Sequence, residues 1–579
     1  MQMLRNCVDP VCLFSGDVRP CLMRVRRQAA NSLHRYRNVP SRNNIAFWAS
    51  EGPETCSYQP LQTDSFADVC VVGAGIAGLS IAYMLAREGR SVMVLDDGAI
   101  GSGETGRSTA HLSNALDDRY HELERLLGRE GARLAAASHT AAIDAIESIV
   151  EAEQIDCDFE RLDGYLFSPP GTTRQELEEE RLAALRAGIA VEWIDRAPIR
   201  SFDTGPSLRF SRQGQFHPLK YLRGLAKAIE RYGGKLFGGT HVMDVQGGLP
   251  ATITTSAGFT VRARAAVIAT NAPISETYGL FTANTAYRTY VIAARLGPHA
   301  VTRALFWDTP DPYHYVRLQK GEQPDSEFLI VGGEDHKTGQ AANFNQRFER
   351  LEAWTRERFP EVESIDYRWS GQIMEPLDGL AFIGKHPVGK QNVYIASGDS
   401  GHGITHGTIA GMLLRDLILK RKNAWARLYD PSRITLRAFS ELIRENLNVG
   451  AQFADWLTDA DVGSMDQIAP GQGATVQKDW MKLAVYRDPE GGYHQCSAVC
   501  PHLGCIVSWN STEKSWDCPC HGSRFDPYGR VINGPSSTNL DSPEKYSALI
   551  NAAALLLESS ASLSTNFLGK LLSLGIRVR

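Results

Sequence analysis

Two short boxes near the C-terminal end, CPHLGC at 500–505 and CPCHGS at 518–523, bring thiols and imidazoles together. Cys500-x-His502, fifteen residues, and then Cys518-x-x-His521 supply two thiolates and two imidazoles from two loops. That donor set suits a [2Fe-2S] centre in which one iron takes both cysteines and the other both histidines. Neutral imidazoles in place of negative thiolates ease reduction, so the potential rises. Zinc is the competing metal, but zinc fingers space their ligands C-x(2 to 4)-C and H-x(3 to 5)-H.

The second stretch with chemistry to do is VCVVGAGIAGLSIAYMLAREGRSVMVLD, from Val69 to Asp96. Val69 to Val72 reads as a short buried strand, and Gly73, Gly75 and Gly78 follow on the G-x-G-x-x-G spacing. Gly73 permits the tight turn, Gly75 lets the backbone approach a pyrophosphate, and Gly78 lets the helix from Ile76 to Glu88 pack on the strand. The helix N-terminus then faces the phosphate. Ser91 to Leu95 is the second strand, and Asp96 at its end stands where a carboxylate would hold a ribose 2′-hydroxyl. The competing reading is a glycine-rich turn of a plain α/β core.

After Asp96 comes a glycine- and hydroxyl-rich loop with Gly103, Thr105, Gly106, Arg107 and Ser108. With the preceding motif, this loop resembles the flavin-binding half of the D-amino-acid oxidase, glycine oxidase and sarcosine dehydrogenase superfamily. QFHPLKYLRGLAKAIERY at 215–232, RARAAVIAT at 262–270, DGLAFIG at 378–384 and GDSGHG at 398–403 resemble further blocks of that family. The resemblance implies FAD, with Gly401, His402 and Gly403 at the flavin ring, where helix-head N–H groups meet an anionic edge.

In RSTAHL, His111 resembles a loop histidine that is bonded to the flavin in sarcosine and dimethylglycine dehydrogenases. Ala110, Leu112 and Ser113 depart from that pattern, so three readings stay open: a covalent bond, proximity without one, and an ordinary hydrogen-bonded histidine. Residues 281–375 read as mainly a substrate sheet. Arg288 and Tyr290 are candidates there, as are Tyr313, Tyr315 and Arg317, which share one strand face and could clamp a carboxylate. The alternative is a solvated face covered by salt bridges.

The metal boxes in turn resemble Rieske proteins of the cytochrome bc type. That resemblance implies a disulfide between Cys505 and Cys520, a hydrogen bond from Ser523 to the cluster, and a covering loop at Gly534-Pro535. Phe525 stands where quinol-oxidising members have a tyrosine bonded to a cysteine sulfur. The expected potential is therefore below the top of the roughly −150 to +300 mV Rieske range.

A chain of 579 residues is too long for one core, and its formal net charge of −5 gives no basic surface for nucleic acid. No apolar run long enough to span a membrane occurs, so no membrane association is expected. Five of the eleven cysteines crowd into 496–520, which argues for a metal centre over a secreted disulfide scaffold. The arginine-rich, acid-poor leader reads either as a mitochondrial transit segment or as a plain extension, and a cytoplasmic location is the first expectation.

The expected fold is an α/β Rossmann-like FAD-binding domain with an antiparallel-sheet substrate domain, plus a C-terminal all-β Rieske domain. The expected boundaries are a disordered extension at 1–65, the flavin oxidoreductase at 66–425, a helical linker at 426–473, the Rieske unit at 474–540 and an atypical tail at 541–579. Together the motifs imply an enzyme that oxidises an amine or amino-acid C–N bond and passes electrons singly to its own cluster, then to an external one-electron acceptor. The alternatives are an NAD(P)H-dependent flavin reductase feeding an oxygenase, and a non-enzymatic redox sensor. A second strand followed by G-x-G-x-x-G, which a reductase needs, is not found.

Overall fold

The computed structural model describes residues 44–545 apart from 51–56, 170–173, 273, 275–283, 322, 324–325, 342, 434–447, 450–451, 457 and 479–480. Most of the leader, residues 434–447 of the expected helical linker and the tail from 546 onward lie outside the described residues.

Ser65–Val72 is the central strand of an eight-stranded sheet. It pairs in parallel with Val92–Leu95 on one side and with Thr260–Asn271 on the other. Val393–Ser397 and Lys235–Phe237 extend the parallel set, and Phe382–Lys385 closes one edge antiparallel. Near-continuous burial of Val69–Val72 and Val92–Leu95 is what a strand covered on both faces requires. The helices Ile76–Arg87 and Gly403–Ile418 cover this sheet side by side. They meet backbone to backbone, since a Cβ on Gly407 would lie 2.9 Å from the Ala77 nitrogen, and one on Gly411 3.0 Å from the Ser80 carbonyl carbon.

The second sheet has nine strands, and its antiparallel core runs Val362–Pro376, Asn284–Leu296, Glu327–Lys337, His314–Lys320 and Leu305–Asp308. Glu160–Phe167, Ser207–Gln215 and the two-residue strand His111–Leu112 continue it to the edge of the flavin loop. It therefore carries one chain of hydrogen bonds from His111 to the strand that ends at Pro376.

The C-terminal unit is all β, with antiparallel sheets formed by Gln472–Lys478, Met481–Arg487 and Tyr493–Ser497, and by Ser508–Asn510, Ser515–Asp517, Arg524–Phe525 and Val531–Asn533. It docks on the substrate sheet through a buried charge cluster. Glu513, 2 % exposed, accepts from Arg288 at 2.6 Å and is bonded to Arg524, which also donates to Asp517 at 2.9 Å. Burial alone would raise the Glu513 pKa, but Arg288 and Arg524 hold it well below the usual carboxylate range. Ser508 Oγ donates to Gly339 O at 3.0 Å and Gln340 Nε2 to Pro519 O at 3.0 Å, which widens the contact.

The expectation of a disordered extension up to residue 65 needs correction at its end. Phe47–Ser50 forms a short helix in which Phe47 and Trp48 are fully buried. Trp48 donates to Ser108 O at 2.6 Å and lies under the Arg317 guanidinium. Phe47 packs against Phe328 and Tyr367 of the second sheet and Trp48 against His217, and no local periodicity announces such partners.

Candidate functional site

A cavity of about 380 Å³ opens between the two large sheets at the head of helix Ile76–Arg87. Gly73, Gly75, Asp96, Gly103, Thr105, Arg107 and Ser108 line it, and so do Gly401, His402 and Gly403 from a separate segment of the chain. Gly73 takes φ +106°, and a Cβ on it would sit 2.4 Å from Ala269 O. The helix has no side-chain cap at Gly75, so its first N–H groups are left for a ligand, apart from Ile76 N–H, which donates to Thr105 Oγ1 at 3.1 Å. The Asp96 carboxylate accepts from Ala74 N–H at 2.6 Å and from Gly98 N–H at 2.8 Å, while burial raises its pKa.

Two of the glycines work from behind this wall. A Cβ on Gly78 would lie 1.9 Å from Gly73 O, and one on Gly106 would lie 2.4 Å from Gly101 O. They set how closely helix and loop approach without touching the cavity. Arg107 faces the cavity but spends its Nη1 donors on Asn44 Oδ1 at 3.1 Å and Ser370 O at 2.9 Å. At the head of helix Gly403–Ile418, Gly401 has φ +72°, and His402 Nε2 accepts from Asp117 N–H at 3.0 Å.

His111, Tyr313 and Tyr315 also line the cavity. Burial and Arg317 push the His111 pKa down to about 3, so its imidazole is neutral at pH 7. A carbonyl can only accept, so Nε2 carries the hydrogen toward Val316 O at 3.4 Å, and Nδ1 accepts from Thr109 Oγ1 at 3.1 Å. The Tyr315 hydroxyl lies 2.9 Å from Thr289 Oγ1, and Tyr313 OH donates toward Asp335 Oδ2 at 3.4 Å.

Arg317 corrects the expected clamp. It shares the strand face of the two tyrosines, but it is fully buried below the cavity. Its Nη1 donates to the carbonyls of Thr109, Ala110 and Phe216 at 3.0–3.1 Å, and Nη2 is bonded to Gln319. The flavin loop closes over that end of the strand and takes up the guanidinium before a substrate could. Arg288 is likewise committed, to Glu513. Strand alternation predicts a shared face and says nothing about what covers it. The residues that the motifs did not announce include Thr289, Trp307, Asp117 and Gln372, all in the cavity wall.

In the C-terminal unit the Cys500 and Cys518 thiols are within hydrogen-bonding reach of each other, and Ser523 Oγ and the N–H groups of His502 and Leu503 point at Cys500. The N–H groups of Cys520 and His521 point at Cys518. The His502 and His521 rings stand edge to face with centroids 5.2 Å apart, and burial pushes both pKa values down to about 4. Neutral imidazole is the form that binds metal. Two thiols with N–H groups aimed at them and two neutral imidazoles fit a [2Fe-2S] cluster. Cys505 and Cys520 form a disulfide, and their sulfurs lie within 4.8 Å of the Cys518 sulfur.

That bridge closes a loop of fifteen residues, so the Cys505→Ser/Cys520→Ser double variant is expected to lose about 3 kcal/mol. A urea titration followed at the cluster absorbance measures this, and a midpoint equal to that of the parent would show the bridge to be idle.

The cavity and the cluster unit share a wall. Val531, Ile532, Asn533, Gly534, Ser536 and Ser537 line the same cavity as the glycine loop. Asn533 Nδ2 donates to Glu104 Oε1 at 2.9 Å, Glu104 Oε2 accepts from Gln372 N–H at 2.6 Å, and Gln372 Nε2 donates to Gly522 O at 2.9 Å. The described residues include no helix long and apolar enough to cross a membrane.

Residues 68–417 match the FAD dependent oxidoreductase family, and residues 458–544 match the Rieske [2Fe-2S] domain. The chain is 31% identical over 502 residues to the Rieske 2Fe-2S iron-sulfur protein YhfW of Bacillus subtilis (strain 168), covering 84% of this chain and 97% of that protein. It is 29% identical over 406 residues to gamma-glutamylputrescine oxidoreductase of Escherichia coli (strain K12), covering 66% of this chain and 91% of that protein. The glycine oxidase structure from Geobacillus kaustophilus shares the fold, with a TM-score of 0.55 at 20% identity over 64% of this chain and 100% of that one. The cradle that a Cβ would fill at Gly73, the open helix head and the Cys2His2 pocket agree with these matches: the chain belongs to the FAD dependent oxidoreductase family and carries a C-terminal Rieske [2Fe-2S] domain.

Proposed function

We propose that this oxidoreductase removes a hydride from the carbon, and a proton from the nitrogen, of an amine or amino acid and delivers the two electrons singly through its own cluster to an external one-electron acceptor. The C–N single bond becomes an imine, which water hydrolyses to a carbonyl and a free amine. When bound, FAD supplies the hydride acceptor and the [2Fe-2S] cluster the one-electron relay. The observation that carries the reading is the shared wall, in which Asn533, Gly534 and Ser536 of the cluster unit line the flavin cavity and Gln372 of that wall donates to Gly522 O.

In this reading Gly73 and Gly75 bring the helix head to the pyrophosphate and Asp96 holds the ribose. Gly103, Thr105, Gly106, Arg107 and Ser108 shape the loop around it. Gly401, His402 and Gly403 meet the ring. Tyr313 and Tyr315, kept protonated by burial, orient the substrate nitrogen beside neutral His111. Cys500, Cys518, His502 and His521 hold the cluster. The name of the Escherichia coli relative supports an amine substrate, and the commitment of Arg288 and Arg317 elsewhere removes the guanidinium that would have selected a carboxylate.

Anaerobic mixing with a panel of amines, amino acids and NAD(P)H, followed at flavin and cluster bands, tests the reading. An effective amine is expected to deliver about three electrons per chain, two to flavin and one to the cluster. The Cys518→Ala variant is expected to take up about two and to lose the cluster's electron-paramagnetic signal. Reduction by NAD(P)H alone would overturn the proposal, and so would flavin bleaching that never reaches the cluster.

A further inference from the structure

We propose that Gln372 is the positioning residue that couples the flavin cavity to the cluster, by holding the His521 loop against the cavity wall. The inference rests on the electron route proposed above and names the contact that route depends on. Gln372 lies in the strand Val362–Pro376, is 3 % exposed and lines the cavity. Its side-chain Nε2 donates to Gly522 O at 2.9 Å, and Gly522 directly follows His521. Because a carbonyl can only accept, the amide orientation is fixed by its partner. The strand behind it is held as well, where the Gln372 backbone N–H donates to Glu104 Oε2 at 2.6 Å.

The other side of the contact is just as close. Gly522 has φ +77°, and a Cβ there would lie 2.3 Å from Ala286 Cβ and 2.9 Å from Gln372 Nε2. Only glycine lets the loop come this near. One side chain thus joins the cavity wall to the peptide next to a cluster histidine, through a single hydrogen bond. Gln340 provides an internal comparison. It donates to Pro519 O at 3.0 Å and so anchors the same loop, but it does not line the cavity.

The test is anaerobic single-turnover kinetics of the cofactor-loaded protein with an amine that reduces the parent, reading the ratio of the cluster rate to the flavin rate. Gln372→Met removes the donor at nearly constant length, and Gln372→Glu keeps the shape while placing an acceptor against an acceptor. Both are expected to lower the ratio about tenfold, within the roughly hundredfold that a misplacement of about 1 Å can cost. The cluster's paramagnetic spectrum should be retained, since all four ligands remain. Gln340→Met is expected to keep the ratio within about twofold of the parent.

If Gln372→Met does not accumulate as folded protein, the Glu variant carries the test alone. A parental ratio in the Gln372 variants, or an equal fall in the Gln340 variant, would overturn the assignment. Loss of the cluster spectrum in both Gln372 variants would also overturn it, by making Gln372 a determinant of cluster retention instead. A parent whose cluster stays oxidised after flavin bleaching would defeat the electron route itself, which is a different and separately visible result.

Discussion

Replacing Glu513 with alanine is expected to destabilise the folded chain by about 3–5 kcal/mol, because it strands two buried guanidinium groups without their shared carboxylate. Arg288 comes from the substrate sheet and Arg524 from the cluster unit, and both are nearly or fully buried. Glutamine at 513 keeps the shape and an acceptor but not the charge, so its loss should be smaller. A double change of Arg288→Met and Glu513→Leu should recover much of the stability, since it removes one buried charge of each sign and leaves Arg524 paired with Asp517. Denaturant midpoints followed at the cluster absorbance rank these variants. An alanine variant with the parental midpoint would mean that water reaches the guanidiniums and that the ion pairs do not hold the units together.

The second large effect is expected at Gly78. Alanine there would put a Cβ 1.9 Å from Gly73 O, so either helix Ile76–Arg87 must move away from its strand or the glycine turn must open. Overpacking of this kind usually costs about 1–3 kcal/mol when neighbours can shift. Here the neighbour is the backbone that would approach the pyrophosphate, so the loss falls on cofactor binding. Purified Gly78→Ala protein is expected to carry little or no flavin, measured as the ratio of flavin to protein absorbance. Gly89→Ala is the comparison: its φ is +75°, but nothing stands within 4 Å of the added atom. It should pay only the left-handed backbone cost of about 1–2 kcal/mol and keep its flavin. Full flavin occupancy in Gly78→Ala would show that the helix can retreat without loss of the site.

Both variants bear on how much of the site is local. The glycine motif and the Cys-x-His and Cys-x-x-His boxes were legible because the chemistry demands particular residue types at fixed short spacing. A pyrophosphate needs N–H groups at a turn without side chains, and an iron pair needs donors from two short loops. The helix and the second strand differ from expectation by one residue, with Ile76–Arg87 observed for 76–88 and Val92–Leu95 for 91–95, while the first strand, expected from Val69, begins four residues earlier at Ser65. The nucleotide sheet was legible for the same reason, since buried apolar runs and a glycine turn are local signals.

The substrate end was read less well. Alternation correctly put Tyr313, Tyr315 and Arg317 on one face, but the partners of that face come from elsewhere in the chain. Arg317 is bonded to Ala110 O across 207 positions, and Arg288 to Glu513 across 225. Arginine in a strand looks the same in sequence whether it awaits a substrate carboxylate or caps a buried loop. Phe47 and Trp48 show the same limit from the apolar side, because burial depends on a surface supplied by residues far along the chain.

By itself, then, the sequence determined the two cofactor pockets, the family and the order of the domains, because each rests on residues close together in the chain. The tertiary structure decided which charged groups are spent on holding the molecule together and which wall the cluster unit shares with the flavin cavity. Gln372 and Gly522 lie 150 positions apart, and neither belongs to a motif that names the other. Their contact exists because sheets from two units bury a common face, and burial leaves each carbonyl there to find its donor in whatever chain segment the packing brings.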